Sequence, residues 1–127
     1  MQNLIHLLMI HKEHQLQKHE FMKLMTTEII IYYDGPQVVV TEDENKQLYI
    51  NTLYEINSLG DFLYLTAKTT EENLEEFKTG KVDLRSLYKA PYYVSTDEFG
   101  DVFNAREIKE SEVKSSMLPD KNFYLNR

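Results

Sequence analysis

The chain has no cysteine and no tryptophan. Without cysteine there is no disulfide framework, no thiolate nucleophile and no cysteine-type zinc site, a composition that suits a reducing cytoplasm. Proline and glycine are scarce, three and four in 127 residues, and no glycine-rich phosphate-cradling loop is among them. The apolar run Leu4-Ile5-His6-Leu7-Leu8-Met9-Ile10 falls well short of the about 20 residues that span a bilayer. It has neither a basic stretch before it nor a small-residue cleavage site after it. A cytoplasmic protein that contacts no membrane is the expectation.

Basic residues are few as well: 14 Lys and Arg stand against 21 Asp and Glu, for a net charge of -7. The imbalance is local. Between Glu28 and Glu76 eleven acids face only Lys46 and Lys68, whereas from Phe77 onward the charges nearly cancel. Nucleic-acid backbones are bound by lysine and arginine that displace counterions, so a chain without a basic stripe is not expected to bind them. What is present is apolar mass. With 42% hydrophobic residues, nine tyrosines and six phenylalanines, a chain of this length can bury one core and form one domain.

Three parts are distinguishable along the chain. Residues 1–25 hold all four histidines (His6, His11, His14 and His19) and four of the five methionines; a helix and a loosely ordered extension both fit them, and Met22 or Met25 are alternative domain starts. Residues 26–118 form the expected domain, and 119–127 a C-terminal tail. From Ile29 the strand signals are clear: Ile29-Ile30-Ile31-Tyr32-Tyr33, Val38-Val39-Val40, Leu48 to Tyr54 and Phe62 to Leu65 are rich in β-branched and aromatic residues. Turns at Asp34-Gly35-Pro36, Glu42 to Lys46 and Asn57 to Asp61 separate them. Such short connections favour an antiparallel meander.

Thr69 with Glu72 three residues on reads as a capping box, and Glu71, Glu72 and Glu75 suit the positive end of a helix dipole. Leu74 and Phe77 give the buried stripe and Gly80 the C-terminal stop. Asp83 caps a short second turn with Leu84, Leu87 and Tyr88. A hairpin follows over Tyr92 to Phe103, and Ala105 to Lys114 reads as a modest helix. The expected architecture is α+β: an antiparallel meander sheet of four to six strands, one main helix packed on one face and a short second helix.

The order Tyr33-Asp34-Gly35-Pro36, Asp43-Glu44-Asn45 before Leu48-Tyr49-Ile50, Thr70-Glu71-Glu72 with Leu74, Gly80, and Asp83-Leu84-Arg85 resembles a family of small bacterial and phage-borne domains of unknown function. Their pattern is a Tyr-Asp-(Gly)-Pro turn, an acidic turn before a strand, a Ser/Thr-Glu-Glu helix start and a Gly-x-(Ile/Val)-(Ser/Asp)-Leu-Arg block. The likeness covers residues 29 to 90. Lys68 stands where a proline is expected ahead of the helix, and residues 1–25 have no counterpart. The resemblance implies an α+β fold and a bacterial or mobile-element setting, and brings no activity with it.

Each candidate for chemistry has a plainer reading. His11 and His14 share a helical face in a zinc-ligand manner, but the His-Glu-x-x-His spacing and a third ligand are absent. Asp34 reads as a turn residue, a position where the carboxylate more often bonds its own backbone than does chemistry. The acids of residues 42–44 lack the alternating ligands and glycine of a calcium loop. No catalytic residue, metal or cofactor is therefore expected, and the protein is not read as an enzyme.

Two binding roles remain. The first is an acidic module, a regulator or inhibitor, that contacts a protein partner through Tyr32, Tyr33, Glu42, Asp43, Glu44, Glu72, Glu75 and Glu76, since tyrosine is enriched at interfaces. The second is a small-molecule binder, for a nucleotide-like ligand gripped by Arg85 and Tyr88. An exposed strand edge leaves a homodimer open.

Overall fold

A computed structural model of the chain describes residues 21–98 and 101–125. Six antiparallel strands run in chain order around a closed barrel: β1 (Phe21–Tyr32), β2 (Pro36–Glu42), β3 (Leu48–Ile56), β4 (Phe62–Thr69), β5 (Tyr92–Glu98) and β6 (Val102–Ile108). Helix α1 (Glu71–Lys78) and a 3-10 turn (Leu84–Leu87) occupy the connection from β4 to β5. Among the described residues no helix is long and apolar enough to cross a membrane.

The open α+β sheet with a main helix on its face is thereby overturned, because the last strand returns to the first. The cause is the length of β1. Its second half pairs with β2, from Met25 opposite Glu42 to Tyr32 opposite Pro36. Its first half pairs with β6, from Phe21 opposite Arg106 to Met25 opposite Val102. Residues 21–25, read from sequence within an N-terminal extension, are thus the closing segment. They alternate: Leu24 is fully buried and Met22 half-buried, while Phe21, Lys23 and Met25 are exposed. The helix read over residues 105–114 is likewise corrected. Ala105 and Ile108 are buried positions of β6, and only Glu110–Glu112 form a further 3-10 turn.

The strands that carry apolar runs are covered on both faces, which produces continuous rather than alternating hydrophobicity. Val39 points into the barrel with Leu24, Tyr49, Tyr64, Tyr93 and Phe103. Val38 and Val40 point outward and join Ile50, Leu65 and Ala67 under Leu74 and Phe77 of α1 and Leu84 and Leu87 of the 3-10 turn. The three consecutive valines therefore belong to two cores. The helix begins one residue later than the capping-box spacing suggests. Thr70 is the N-cap, its Oγ1 accepting from the Asn73 N–H at 3.1 Å, while Thr69 ends β4. Asp83 caps the 3-10 turn, accepting from the Ser86 N–H at 3.1 Å.

A polar network crosses the middle of the barrel interior. Asn51 Nδ2 donates to the Val39 carbonyl at 3.0 Å and to Thr41 Oγ1 at 2.9 Å. Thr66 Oγ1 donates to Asn51 Oδ1 at 2.6 Å. Because a hydroxyl has one proton to give, Ser95 is the donor in its 2.6 Å bond with Thr66. Small polar side chains fill the waist, and Tyr49 and Tyr64 hydrogen-bond outward at its ends, to Asp43 and to the Pro36 carbonyl.

Candidate functional site

The turn between β2 and β3 is built by Asp43. Its Oδ1 accepts from the N–H groups of Asn45 at 2.8 Å and Gln47 at 3.0 Å, the side-chain-to-backbone bonding that favours aspartate in turns. Its Oδ2 accepts from the Tyr49 hydroxyl at 3.0 Å. Burial and then this carboxylate push the Tyr49 phenol well above the ordinary tyrosine value. Asp43 therefore shapes the turn, and its neighbours face outward. Glu44 is exposed; Glu42 is half-buried and pairs with Lys46 at 3.2 Å.

Gln47 ties this turn to the start of α1 by donating at 3.0 Å to the carbonyls of both Leu48 and Thr69. The tie brings distant acids together around Glu42. On one side a cleft of about 610 Å³ holds Glu42, Asp43 and Glu44 beside Phe21 and Met25, whose side chains are 48% and 50% exposed. On the other, a cleft of about 420 Å³ sets Glu42 beside Glu28, Glu71 and Glu75, with Val40 and Leu74 among its apolar lining. Lys78 in this second cleft is paired with Glu28. The two clefts share Glu42, and together they make an acid-rich groove region with apolar patches, lined from β1, β2, the turn and α1, with Lys23 and Lys46 also lining the first cleft.

The residues expected to contact a partner are not all in this groove. Glu42, Asp43, Glu44 and Glu75 line it. Glu72 is exposed and Glu76 half-buried on α1, and neither lines these clefts. The Glu76 carbonyl accepts from the Lys81 N–H at 2.8 Å, closing the end of the helix. Tyr32 and Tyr33 lie at the other end of β2, beside Pro36, and are 70% and 74% exposed.

Tyr88 is buried, and its hydroxyl donates to the Leu65 carbonyl at 3.0 Å while Thr52 Oγ1 donates to it at 2.6 Å. Burial holds its pKa above the usual tyrosine value. Its hydroxyl is thus engaged in the fold. Arg85 is half-buried in the 3-10 turn, where its carbonyl accepts from the Tyr88 N–H at 3.0 Å.

Phe21, Met25, Glu28 and Glu71 are not among the partner-contact residues expected from the sequence. Only the alternation over residues 21–25 could have pointed to the first two; nothing local predicts that Glu28 and Glu71 converge. The histidine group (His6, His11, His14 and His19) lies outside the described residues, and among the described residues no three His, Asp or Glu side chains are grouped to hold a metal. No protein-family model, curated protein or solved structure matches the chain.

Proposed function

We propose that the protein is a non-catalytic, acidic interaction module that binds a basic surface of a protein partner, as a regulator or inhibitor encoded by a phage or mobile element. The observation that carries this reading is the position of Glu42, where the acids of the β2–β3 turn meet those of β1 and α1 in a groove with exposed Phe21 and Met25 at its edge. Charge around an apolar patch is the usual anatomy of a specific interface: apolar contact supplies affinity, and complementary charge supplies steering and partner choice. A groove of this sign repels phosphate backbones and attracts lysine and arginine.

The test is capture of partners from the organism that encodes the protein, comparing the unmodified chain with a Glu42→Lys/Glu44→Lys/Glu71→Lys variant. A second variant, Glu107→Lys/Glu110→Lys, reverses exposed charges on and just after β6 and serves as control. A partner that is retained by the control, released by salt and lost only from the groove variant supports the proposal. Equal retention by all three proteins refutes it.

A further inference from the structure

A second depression lies at the opposite end of β2 from the acidic groove. Its floor is the row Ile31, Val38 and Thr52, paired in register across β1, β2 and β3. Leu84 and the C-terminal segment form the facing wall. That segment is fastened by two backbone links: the Leu84 N–H donates to the Phe123 carbonyl at 2.9 Å, and the Asn122 N–H donates to Asp83 Oδ2 at 2.8 Å. The Asn122 bond is the main cause holding the Asp83 carboxyl below its ordinary value. Phe123 is further placed by its ring contact with Phe77, centroids 6.5 Å apart.

The cleft so formed has a volume of about 330 Å³, at the small end of the range for ligand pockets and suited to a single side chain. Two aromatic residues line it from different parts of the chain, Tyr33 from the β1–β2 turn and Phe123 from the C-terminal segment. They remain 74% and 43% exposed. The Tyr33 backbone is held in place, its carbonyl accepting from Gln37 Nε2 at 2.7 Å and its N–H donating to the Gly35 carbonyl at 2.9 Å. Among the described residues, Asp120 is the one charged residue in the lining.

We propose that this cleft receives an arginine side chain of the protein partner, its guanidinium lying against the Tyr33 and Phe123 rings and its N–H fork meeting the Asp120 carboxylate. The chemistry selects the occupant. Aromatic faces attract cations through their quadrupole. The guanidinium stacks on rings and pairs with a carboxylate through two parallel bonds, and it is shed of water more easily than an ammonium. An apolar anchor would cover Asp120 without pairing it, at a desolvation cost. An anion would meet that carboxylate on a chain of net charge -7. The inference rests on the reading of the partner as basic, but on different residues.

The experiment is a heteronuclear NMR titration of the full chain with a capped Gly-Arg-Gly peptide and with the same peptide carrying citrulline, which keeps the shape and loses the charge. The expected result is saturable shifts at Tyr33, Gln37 and Phe123 with the arginine peptide and none that saturate with citrulline. Tyr33→Ala weakens the arginine response about fivefold, and Asp120→Asn also weakens it by up to about fivefold. Equal responses to the two peptides, or arginine shifts confined to the Glu42 groove, overturn the proposal. The comparison of peptides on the unmodified protein does not depend on any variant folding. Repeating it on the Glu42→Lys/Glu44→Lys/Glu71→Lys protein separates the two sites, because the Tyr33 response persists there even where the groove no longer binds.

Discussion

Thr66 and Asn51 face each other across β3 and β4 inside the barrel, with Thr66 Oγ1 donating to Asn51 Oδ1 at 2.6 Å. Both side chains are fully buried, and the Asn51 amide spends its two N–H groups on Val39 and Thr41. Every polar atom of that amide is thereby committed to a strand on either side of β3. Asn51→Leu leaves the Val39 carbonyl and the Thr66 hydroxyl without this partner, and a loss of about 3 kcal/mol is expected. Urea unfolding followed by circular dichroism measures it. A double variant, Asn51→Val with Thr66→Val, does not recover that loss, because the buried Ser95 hydroxyl then loses the Thr66 oxygen it donates to while Val39 and Thr41 stay without Asn51.

Tyr88 sits between Thr52 and the Leu65 carbonyl, beneath the outer core. Tyr88→Phe strands both and is expected to destabilise the protein by about 1 to 3 kcal/mol. The same residue, with Tyr49 and Tyr64, makes stability depend on pH at the alkaline end. Burial raises each of these phenols above the ordinary value of 10.0 in the folded protein. The proton is held more tightly in the folded state, so their contribution is full below that value and is lost as pH climbs above it. Unfolding free energy is therefore expected to decline above about pH 10, and less steeply in Tyr88→Phe, when urea midpoints are compared between pH 8 and 11.

Gly35 has φ of 121°, and a β-carbon built there would lie 2.8 Å from the Phe62 ring. Both the backbone angle and the contact oppose any larger residue. Gly35→Ala is expected to cost about 2 kcal/mol and to disturb the β1–β2 turn that presents Tyr33. The arginine-peptide response at Tyr33 then falls while the Glu42 groove keeps its own binding. The paired NMR titrations check both outcomes.

Much of the local structure was legible in the sequence. The Asp34-Gly35-Pro36 turn, the stop at Gly80 and the cap at Asp83 depend on single residue types with fixed backbone demands, and such signals survive without tertiary context. Barrel closure did not show. It depends on Phe21 to Met25, whose Leu, Lys and Met composition favours helix and whose strand pairing is decided by β6, about 80 residues away along the chain. Thr70 in place of Thr69 as the helix cap is a one-residue error of the kind that depends on where β4 ends.

The site was legible in part for the same reason. Glu42 to Glu44 stand out as a charged turn, but that Asp43 would be consumed by Tyr49 and the turn backbone is a matter of folded geometry. The convergence of Glu28, Glu42, Glu71 and Glu75 joins strands and helix across the fold, and no local pattern encodes it.

The most direct measurement is hydrogen–deuterium exchange of the protein alone and in complex with the partner it captures. The account predicts that the partner slows exchange in the β2–β3 turn, residues 42–47, and in the first turns of α1, residues 71–75, with little change over β5 and β6. Protection over β5 and β6 with an unaltered β2–β3 turn and α1 would contradict it and move the interface away from Glu42.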